Sequence, residues 1–382
     1  MTALILLDLS AAFDTVDHCI LLSRLNNYLG FNDCVYKWFQ SYLSNRPQQV
    51  RIGNASSKSI TLSYGAPQGS VLGPQLFSIY TLPIRDIIVK HNLNYHVYAD
   101  DTQLYISFNY TQNCATHSIS LLEKCIGDIR DWLGKNFLKM NDDKTEFILF
   151  GSPHHLSKIS IPFIKIGNSQ VVPVSKARSL GVIFDSSMTL KPHVSNIVRS
   201  SSFHLRNIGR LRKYLNFSAT EQLIHAMVTS RLDNTNALLY GLPKKTLNPL
   251  QKLQNTAARI LTLSKTSCHI TPVLKDLHWL PVTCRIIFKL MLLVYKSLNF
   301  CSPTYIVDLL TKYNPVRNLR SSNLSLLKES KANRVWGERS FAVAAPRIWN
   351  KLPQDIRQAP SINIFKNKLK TYLMTNAYDN IY

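Results

Sequence analysis

Two runs of strand-forming residues, 95–99 and 103–108, stand on either side of Asp100-Asp101. So short a link can only turn the chain back on itself, because a parallel return needs a crossover of a dozen or more residues. The first part of this chain therefore contains an antiparallel hairpin with Asp100-Asp101 at its tip. A second apolar run, 2–9, reads as a buried strand that carries Asp8 near its end. Two such strands in one sheet would bring three carboxylates within a few ångströms. Carboxylates that close raise each other's pKa, and divalent cations relieve the repulsion. Oxygen ligands of this kind suit Mg²⁺, which keeps waters and takes substrate phosphates as its other ligands. Two ions roughly 3.5–4 Å apart stabilise both oxygens of a phosphoryl transfer. The competing reading of Asp100-Asp101 is an ordinary solvated turn pair.

Around these strands the pattern mixes helix and strand up to about residue 185. Helices are predicted over 17–29 and 32–43, the second amphipathic through Val35, Trp38, Phe39 and Tyr42. A hairpin over 48–52 and 58–62 turns near Gly53-Asn54. The Gly/Pro-rich loop 65–74 opens a helix from about 71 to 88. The stretch 117–140 carries Leu121, Leu122, Cys125, Ile129, Trp132, Leu133 and Leu138 on one helical stripe. Strands follow over 145–150 and 178–184, with a hairpin over 159–166 and 171–174. After 185 the pattern is mostly helical. Ser218-Ala219-Thr220-Glu221 matches a capping box for a helix to about 239, and helices over 249–263, 282–298 and 361–374 follow, with a Pro-rich, broken stretch at 301–360.

Charge divides the chain at the same place. Residues 1–185 hold 16 Lys+Arg and 14 Asp+Glu, whereas 186–382 hold 29 and 8, a net of +21. A half so basic attracts a polyanion. Aromatic residues, among them Tyr214, Phe217, Trp279, Tyr295, Trp336 and Trp349, are interleaved with the cations, the mixture that binds strands by stacking and phosphate contact. Seven scattered cysteines without a C-x-x-C pair argue against a zinc ribbon or a disulfide scaffold and fit a reducing, intracellular setting. No Lys/Arg cluster is dense enough to choose between nucleus and cytoplasm. No apolar run approaches the roughly 20 residues of a membrane span, so no membrane partner is expected.

Several blocks then match a known family in order. Leu6-Leu7-Asp8-Leu9-Ser10-Ala11-Ala12-Phe13-Asp14-Thr15-Val16-Asp17-His18 resembles the first catalytic block of reverse transcriptases, most closely those of non-LTR (LINE-type) retrotransposons of the CR1/L2/Rex-like or Jockey-like kind. Gly65-Ala66-Pro67-Gln68-Gly69-Ser70-Val71-Leu72-Gly73-Pro74 resembles their glutamine-glycine block, and Tyr98-Ala99-Asp100-Asp101 their aromatic-x-Asp-Asp box. The stretches 138–146 and 179–185 resemble the next two blocks. In the C-terminal half, Ser230-Arg231-Leu232-Asp233, Ala257-Ala258-Arg259, Leu277-His278-Trp279-Leu280-Pro281 and Trp349-Asn350-Lys351-Leu352-Pro353 resemble the tail of such elements.

The resemblance implies an α+β fold: a reverse-transcriptase palm at 1–185, with an antiparallel sheet and packed helices, a helical thumb at 186–265 and a basic helical tail at 266–382. It implies RNA-directed DNA synthesis on an RNA template with a DNA primer and dNTP. Asp8, Asp100 and Asp101 would be catalytic and would hold two Mg²⁺ ions, or Mn²⁺ in their place, with the Leu9 carbonyl as a further metal ligand. Phe13 would lie under the sugar of the incoming nucleotide and disfavour a 2′-hydroxyl. Gln68 and Gly69 would line the nucleotide and template side, and Lys144 would protonate the leaving pyrophosphate. Tyr98 would pack beneath the metals or the primer end, and His18 would be structural. Arg199, Arg206, Arg210, Arg212 and Lys213 would grip the nucleic acid. The family's fingers and endonuclease have no counterpart in the sequence, which reads as an N-terminally truncated copy. That leaves a second reading, a catalytically inactive nucleic-acid-binding remnant.

Overall fold

β1 (Thr2–Leu7) forms because Ala3, Ile5 and Leu7 alternate onto one face and sink into the core. Burying a side chain of the size of Ile5 or Leu7 contributes about 1.5–3 kcal/mol. The computed structural model describes residues 1–67, 69–313 and 325–378, and the chain divides into two compact units, 1–188 and 189–382.

In the first unit, helices α1 (His18–Asn27), α2 (Asp33–Leu43), α3 (Gly73–Thr81) and α4 (Ile84–Lys90) precede strands β2 (Asn94–Tyr98) and β3 (Asp101–Ser107). Helix α5 (Gln112–Lys135) and strand β4 (Glu146–Phe150) follow. The four strands make an antiparallel sheet in the order β4-β1-β3-β2. One face is covered by helices: Leu21 and Leu25 of α1, Phe77 and Tyr80 of α3, Ile88 of α4 and the α5 stripe Leu122, Cys125, Ile129 and Leu133 close over Ala3, Ile5 and Leu104. The other face carries a smaller cluster of Leu4, Ile148 and Ala177, with Leu6, Tyr105, Phe150 and Val174 packed against it.

Four local expectations are corrected here. The single helix over 71–88 is two helices, α3 and α4, parted at Leu82-Pro83, because proline has no N–H to continue the ladder. The helix over 117–140 begins earlier, at Gln112, and ends at Lys135. Phe137 then turns left-handed, at φ +55°, and Lys139–Met140 becomes a strand against Leu9–Ser10. The strand over 178–184 is a hairpin, β5 (Lys176–Ser179) and β6 (Val182–Asp185). Leu180 and Gly181, at φ +47° and +81°, form its turn, and two left-handed residues in a row are what a type I′ hairpin needs. The expected hairpin at 48–62 is present but starts earlier, pairing Arg46–Gln48 with Ile60–Leu62, and its tip turns at Gly53.

The second unit is helical. α6 (Lys191–Leu211) packs against α8 (Lys244–Thr262), and α7 (Phe217–Ile224) lies between them in the chain. The cap of α7 is Asn216, whose side chain accepts from the Ala219 N–H at 2.8 Å, in place of the predicted Ser218 box. α8 starts at Lys244, ahead of the predicted 249, and keeps Pro249 inside its first turns. Ala257 and Ala258 are buried on it. α9 (Val282–Leu298) packs against α10 (Phe341–Asn350) and α11 (Ile362–Tyr378), where Tyr295 stacks on Phe365 at 4.3 Å. The Gln254 side chain on α8 donates to the Leu280 carbonyl at 2.8 Å, so packing crosses the expected boundary at 265. No described helix is long and apolar enough to cross a membrane.

Candidate active site

The pairing of β1 with β3 sets Leu6 opposite Gln103 and Leu7 opposite Thr102, where β1 ends, so Asp8 leaves the strand next to the point where Asp101 opens β3. Alternation puts Asp101 on the face that carries Gln103, away from the helix-covered core. β2 and β3 pair through Tyr98 and Asp101, so Ala99 and Asp100 alone make the turn. Ala99 sits left-handed at φ +54°, which costs an L-residue about 1–2 kcal/mol. That strain lies next to the carboxylates, where packing of the sheet must hold it.

Asp101 feels the other two acids. Asp101 is held above the usual carboxylate range, first by burial, then by the charges of Asp100 and Asp8. Asp8 Oδ2 is buried without a hydrogen-bond partner, and Lys144 Nζ stands 4.0 Å from it. The Lys144 side chain is 72% exposed, so water screens most of that attraction. Among the described residues no three acidic, His or Cys side chains are drawn tightly enough to cage an ion. Bare carboxylates repel, and that is the arrangement expected of them before a cation arrives. The donor set still fits a hard divalent cation: an orphaned carboxylate oxygen on Asp8 and two acids at the facing turn. The Asn141 N–H donates to the Asp8 carbonyl at 2.9 Å. Leu9, next along the ladder to Met140, therefore occupies a non-hydrogen-bonded position, and that ladder leaves its carbonyl unused.

The wall beside the acids is tied to the loop at 65–73. The Phe13 carbonyl accepts from Ala66 N–H and the Val16 carbonyl from Gly65 N–H, both at 2.8 Å. Gly65 is at φ +93°, and a Cβ there would meet the Asp14 carbonyl oxygen at 3.2 Å. His18 is buried with Nε2 2.9 Å from the Gly65 carbonyl oxygen, a structural tie. The Phe13 ring packs at 4.8 Å on Phe77. Gly69, at φ +77°, lies in a turn where Ser70 N–H reaches the Pro67 carbonyl at 3.2 Å and Gly73 N–H reaches Ser70 Oγ at 3.0 Å. Gln68 lies outside the described residues. Tyr98 is 68% exposed and does not pack beneath the acids.

Two ties have no local sequence signal. Gln103 Nε2 donates to Ser179 Oγ at 2.6 Å, fastening the β5–β6 hairpin beside the acids. The Tyr80 hydroxyl donates to the Asn136 carbonyl at 2.7 Å, joining α3 to the end of α5. Such contacts join residues far apart in the chain, so neither periodicity nor spacing announces them.

In the second unit, Arg199, Phe203, Arg206 and Arg210 line the exposed face of α6, opposite buried Val194, Ile197, Leu205 and Ile208. Lys213 follows with Nζ 4.8 Å from the centre of the exposed Tyr214 ring. Arg212 is committed elsewhere: its guanidinium donates to the carbonyls of Ile260, Leu261 and Leu215 at 3.1, 3.0 and 2.7 Å, closing the C-terminal end of α8.

Residues 1–184 match the family model described as "Reverse transcriptase (RNA-dependent DNA polymerase)". The probable RNA-directed DNA polymerase from transposon BS of Drosophila melanogaster is 29% identical over 269 residues, 68% of this chain and 28% of that protein. The corresponding protein from transposon X-element of the same fly is 25% identical over 67% of this chain and 28% of its own length. The RNA-directed DNA polymerase from mobile element jockey of Drosophila funebris is 25% identical over 65% of this chain and 27% of its own length. The chain thus spans less than a third of the length of these relatives. A telomerase structure from Candida albicans, in complex with a fragment of telomeric RNA, is similar at a TM-score of 0.34 and 12% identity, over 73% of this chain and 51% of that one. A score that low carries no argument about the fold. Over residues 1–184, where β1 runs to Asp8 and the Asp100-Asp101 turn opens β3, the chain matches the reverse transcriptase model, and the relatives it resembles are RNA-directed DNA polymerases of Drosophila transposable elements.

Proposed function

We propose that this chain performs RNA-templated DNA synthesis, with 1–185 as palm, 186–265 as thumb and 266–382 as a basic tail. The observation that carries the reading is the end of β1 at Leu7, with Asp8 next, lying against the start of β3 at Asp101, with Asp100 at the turn. In the reaction the primer 3′-oxygen bonds to the α-phosphorus of a dNTP, the α–β phosphate bond breaks and pyrophosphate leaves. Asp8, Asp100, Asp101 and the Leu9 carbonyl would hold two Mg²⁺ ions, or Mn²⁺. Such ions, when bound, supply Lewis acidity toward the attacking and leaving oxygens.

The remaining roles belong to the chain's own groups. Lys144, on the exposed side of Asp8, gives a proton to the leaving pyrophosphate. The Phe13 ring, braced on Phe77, crowds the 2′ position of the incoming sugar. Gln68 and Gly69 line the nucleotide and template side, where a residue without Cβ lets a ligand approach the backbone. Arg199, Arg206, Arg210 and Lys213 contact the phosphates of the template–primer duplex, which is read through its backbone and shape. Arg212 is left out of that set because three of its five N–H donors are taken by the carbonyls of Ile260, Leu261 and Leu215.

The test is primer extension on a poly(rA) template with an oligo(dT) primer and Mg²⁺. Extension by the chain and its loss in Asp100→Asn support the reading. Extension no greater than that of Asp100→Asn, with nucleic-acid binding retained, would favour the binding remnant.

A further inference from the structure

The second unit holds a cavity of about 500 Å³, within the size range of ligand pockets. Two irregularities of the backbone border it. His225–Thr229 wind as a π turn after α7, a form that persists in helices mostly at functional sites. His278 lies left-handed at φ +53°. Such positions persist only where their surroundings hold them, and they gather at ligand clamps.

Two buried polar atoms on residues lining the cavity lack partners. Asn236 is 4% exposed; its amide nitrogen donates to Asp233 Oδ1 at 3.3 Å, which leaves its oxygen unpaired. Arg285 gives Nη1 to Asp233 Oδ2 at 2.8 Å, and its Nε is unpaired. Buried polar groups are ordinarily satisfied. Both atoms are closed to solvent as the side chains stand, so a ligand edge bearing a donor and an acceptor reaches them as the wall side chains shift.

The charges around the cavity are unequal. Asp233 is taken by Arg285, and Glu221 faces His225 at 3.7 Å. Lys289 and Lys370 also line the cavity and, among the described residues, have no carboxylate within ion-pair distance. Phe288, Trp279 and Leu292 supply apolar wall. His278 and Lys370 also line a second cavity, of about 510 Å³, so the two cavities share these wall residues.

We infer that this cavity receives one unpaired nucleotide of a single-stranded nucleic acid. The base edge meets the Asn236 oxygen and the Arg285 Nε–H, the base face lies against Phe288 and Trp279, and Lys289 and Lys370 take the flanking phosphates. A nucleotide within a strand fits better than a free small anion, because a second cavity shares the wall at His278 and Lys370 and the region 186–382 carries 29 Lys+Arg against 8 Asp+Glu. A duplex does not fit, since its base edges are already paired. The inference is independent of the polymerase reading.

The experiment uses the full chain, with a short mixed-sequence RNA, the DNA strand of the same sequence and the corresponding duplex as fluorescent probes. Lys289→Ala with Lys370→Ala should weaken single-strand binding roughly tenfold and flatten its salt slope by about 0.7 for each phosphate no longer neutralised. The charge-matched control, Lys244→Ala with Lys245→Ala on α8, should change it far less. Asn236→Leu removes the acceptor without changing charge and should weaken the single strand while sparing the duplex. A 4-thiouridine RNA should crosslink within 277–292. DNA binding as strong as RNA supports the site for either sugar, and RNA-only binding supports it with the 2′-hydroxyl read as well. Equal losses from the two lysine pairs, or crosslinks confined outside 221–292 and the surroundings of Lys370, overturn it. Asp100→Asn should leave this binding unchanged, so failure here and failure of primer extension are separate results.

Discussion

Leu7 pairs with Thr102 at the last step of β1 on β3, and Asp101, the residue before Thr102, is held above the usual carboxylate range by burial first and then by the charges of Asp100 and Asp8. The folded pKa of Asp101 is raised. A group of that kind contributes stability below its unfolded pKa and loses it as pH rises through the folded value. At neutral pH the ionised carboxylate is therefore a liability to the fold. Asp101→Asn should raise the melting temperature in EDTA at neutral pH, with the gain fading on acidification, while primer extension falls roughly a hundredfold or more. Thermal melts at two pH values alongside extension assays check this; an unchanged or lower melting temperature at neutral pH counts against the crowding of the acids.

Gly65 holds the loop at 65–73 against the strand end. Gly65→Ala puts a Cβ 3.2 Å from the Asp14 carbonyl oxygen at φ +93°. The expected cost is about 1–3 kcal/mol by urea unfolding, with a rise in KM for dNTP as the Phe13 and Val16 ties loosen. A variant as stable as the parent would show that the loop relaxes freely.

Arg206 and Arg212 sit six residues apart by number, yet they should fail differently. Arg206→Ala should leave the melting temperature within about 0.5 kcal/mol of stability and flatten the salt dependence of duplex binding. Arg212→Ala leaves three carbonyls without their donor, and should cost about 2–4 kcal/mol with little direct effect on the salt slope. Matching effects from the two variants would contradict the assignment.

Burial, aided by the negative charge of Asp128, pushes the Cys125 thiol up to about 12. Its ordinary value is 9.0, so the stability it contributes is full below about pH 9 and is lost as pH rises toward about 12. Iodoacetamide at about pH 8 should label exposed Cys19, Cys34, Cys268 and Cys301 and spare Cys125. Mass spectrometry reads the pattern, and rapid labelling of Cys125 in the folded chain would refute it.

The hairpin around Asp100-Asp101, the strand ending at Asp8 and the apolar stripe of α5 were legible in the sequence, because each rests on neighbours within a few positions. The breaks were harder to read. Pro83 divides a helix that periodicity alone would continue, and Leu180-Gly181 turns a run that reads as one strand. The capping pattern at Ser218 was genuine in type, but Asn216, two residues earlier, won the N–H groups.

The order of residues was enough to show which types could do the chemistry, and that the turn between β2 and β3 must be tight. It took the folded chain to show that the end of β1 brings Asp8 near Asp101, that Lys144 stands beside Asp8 and that Arg212 is tied to the end of α8. Turns and helical stripes are set by sterics and spacing over a few residues. Register and partner choice are set by which distant surfaces bury together, as when Gln103 meets Ser179 or Arg212 meets Leu261. That choice belongs to the whole core rather than to any short stretch of chain.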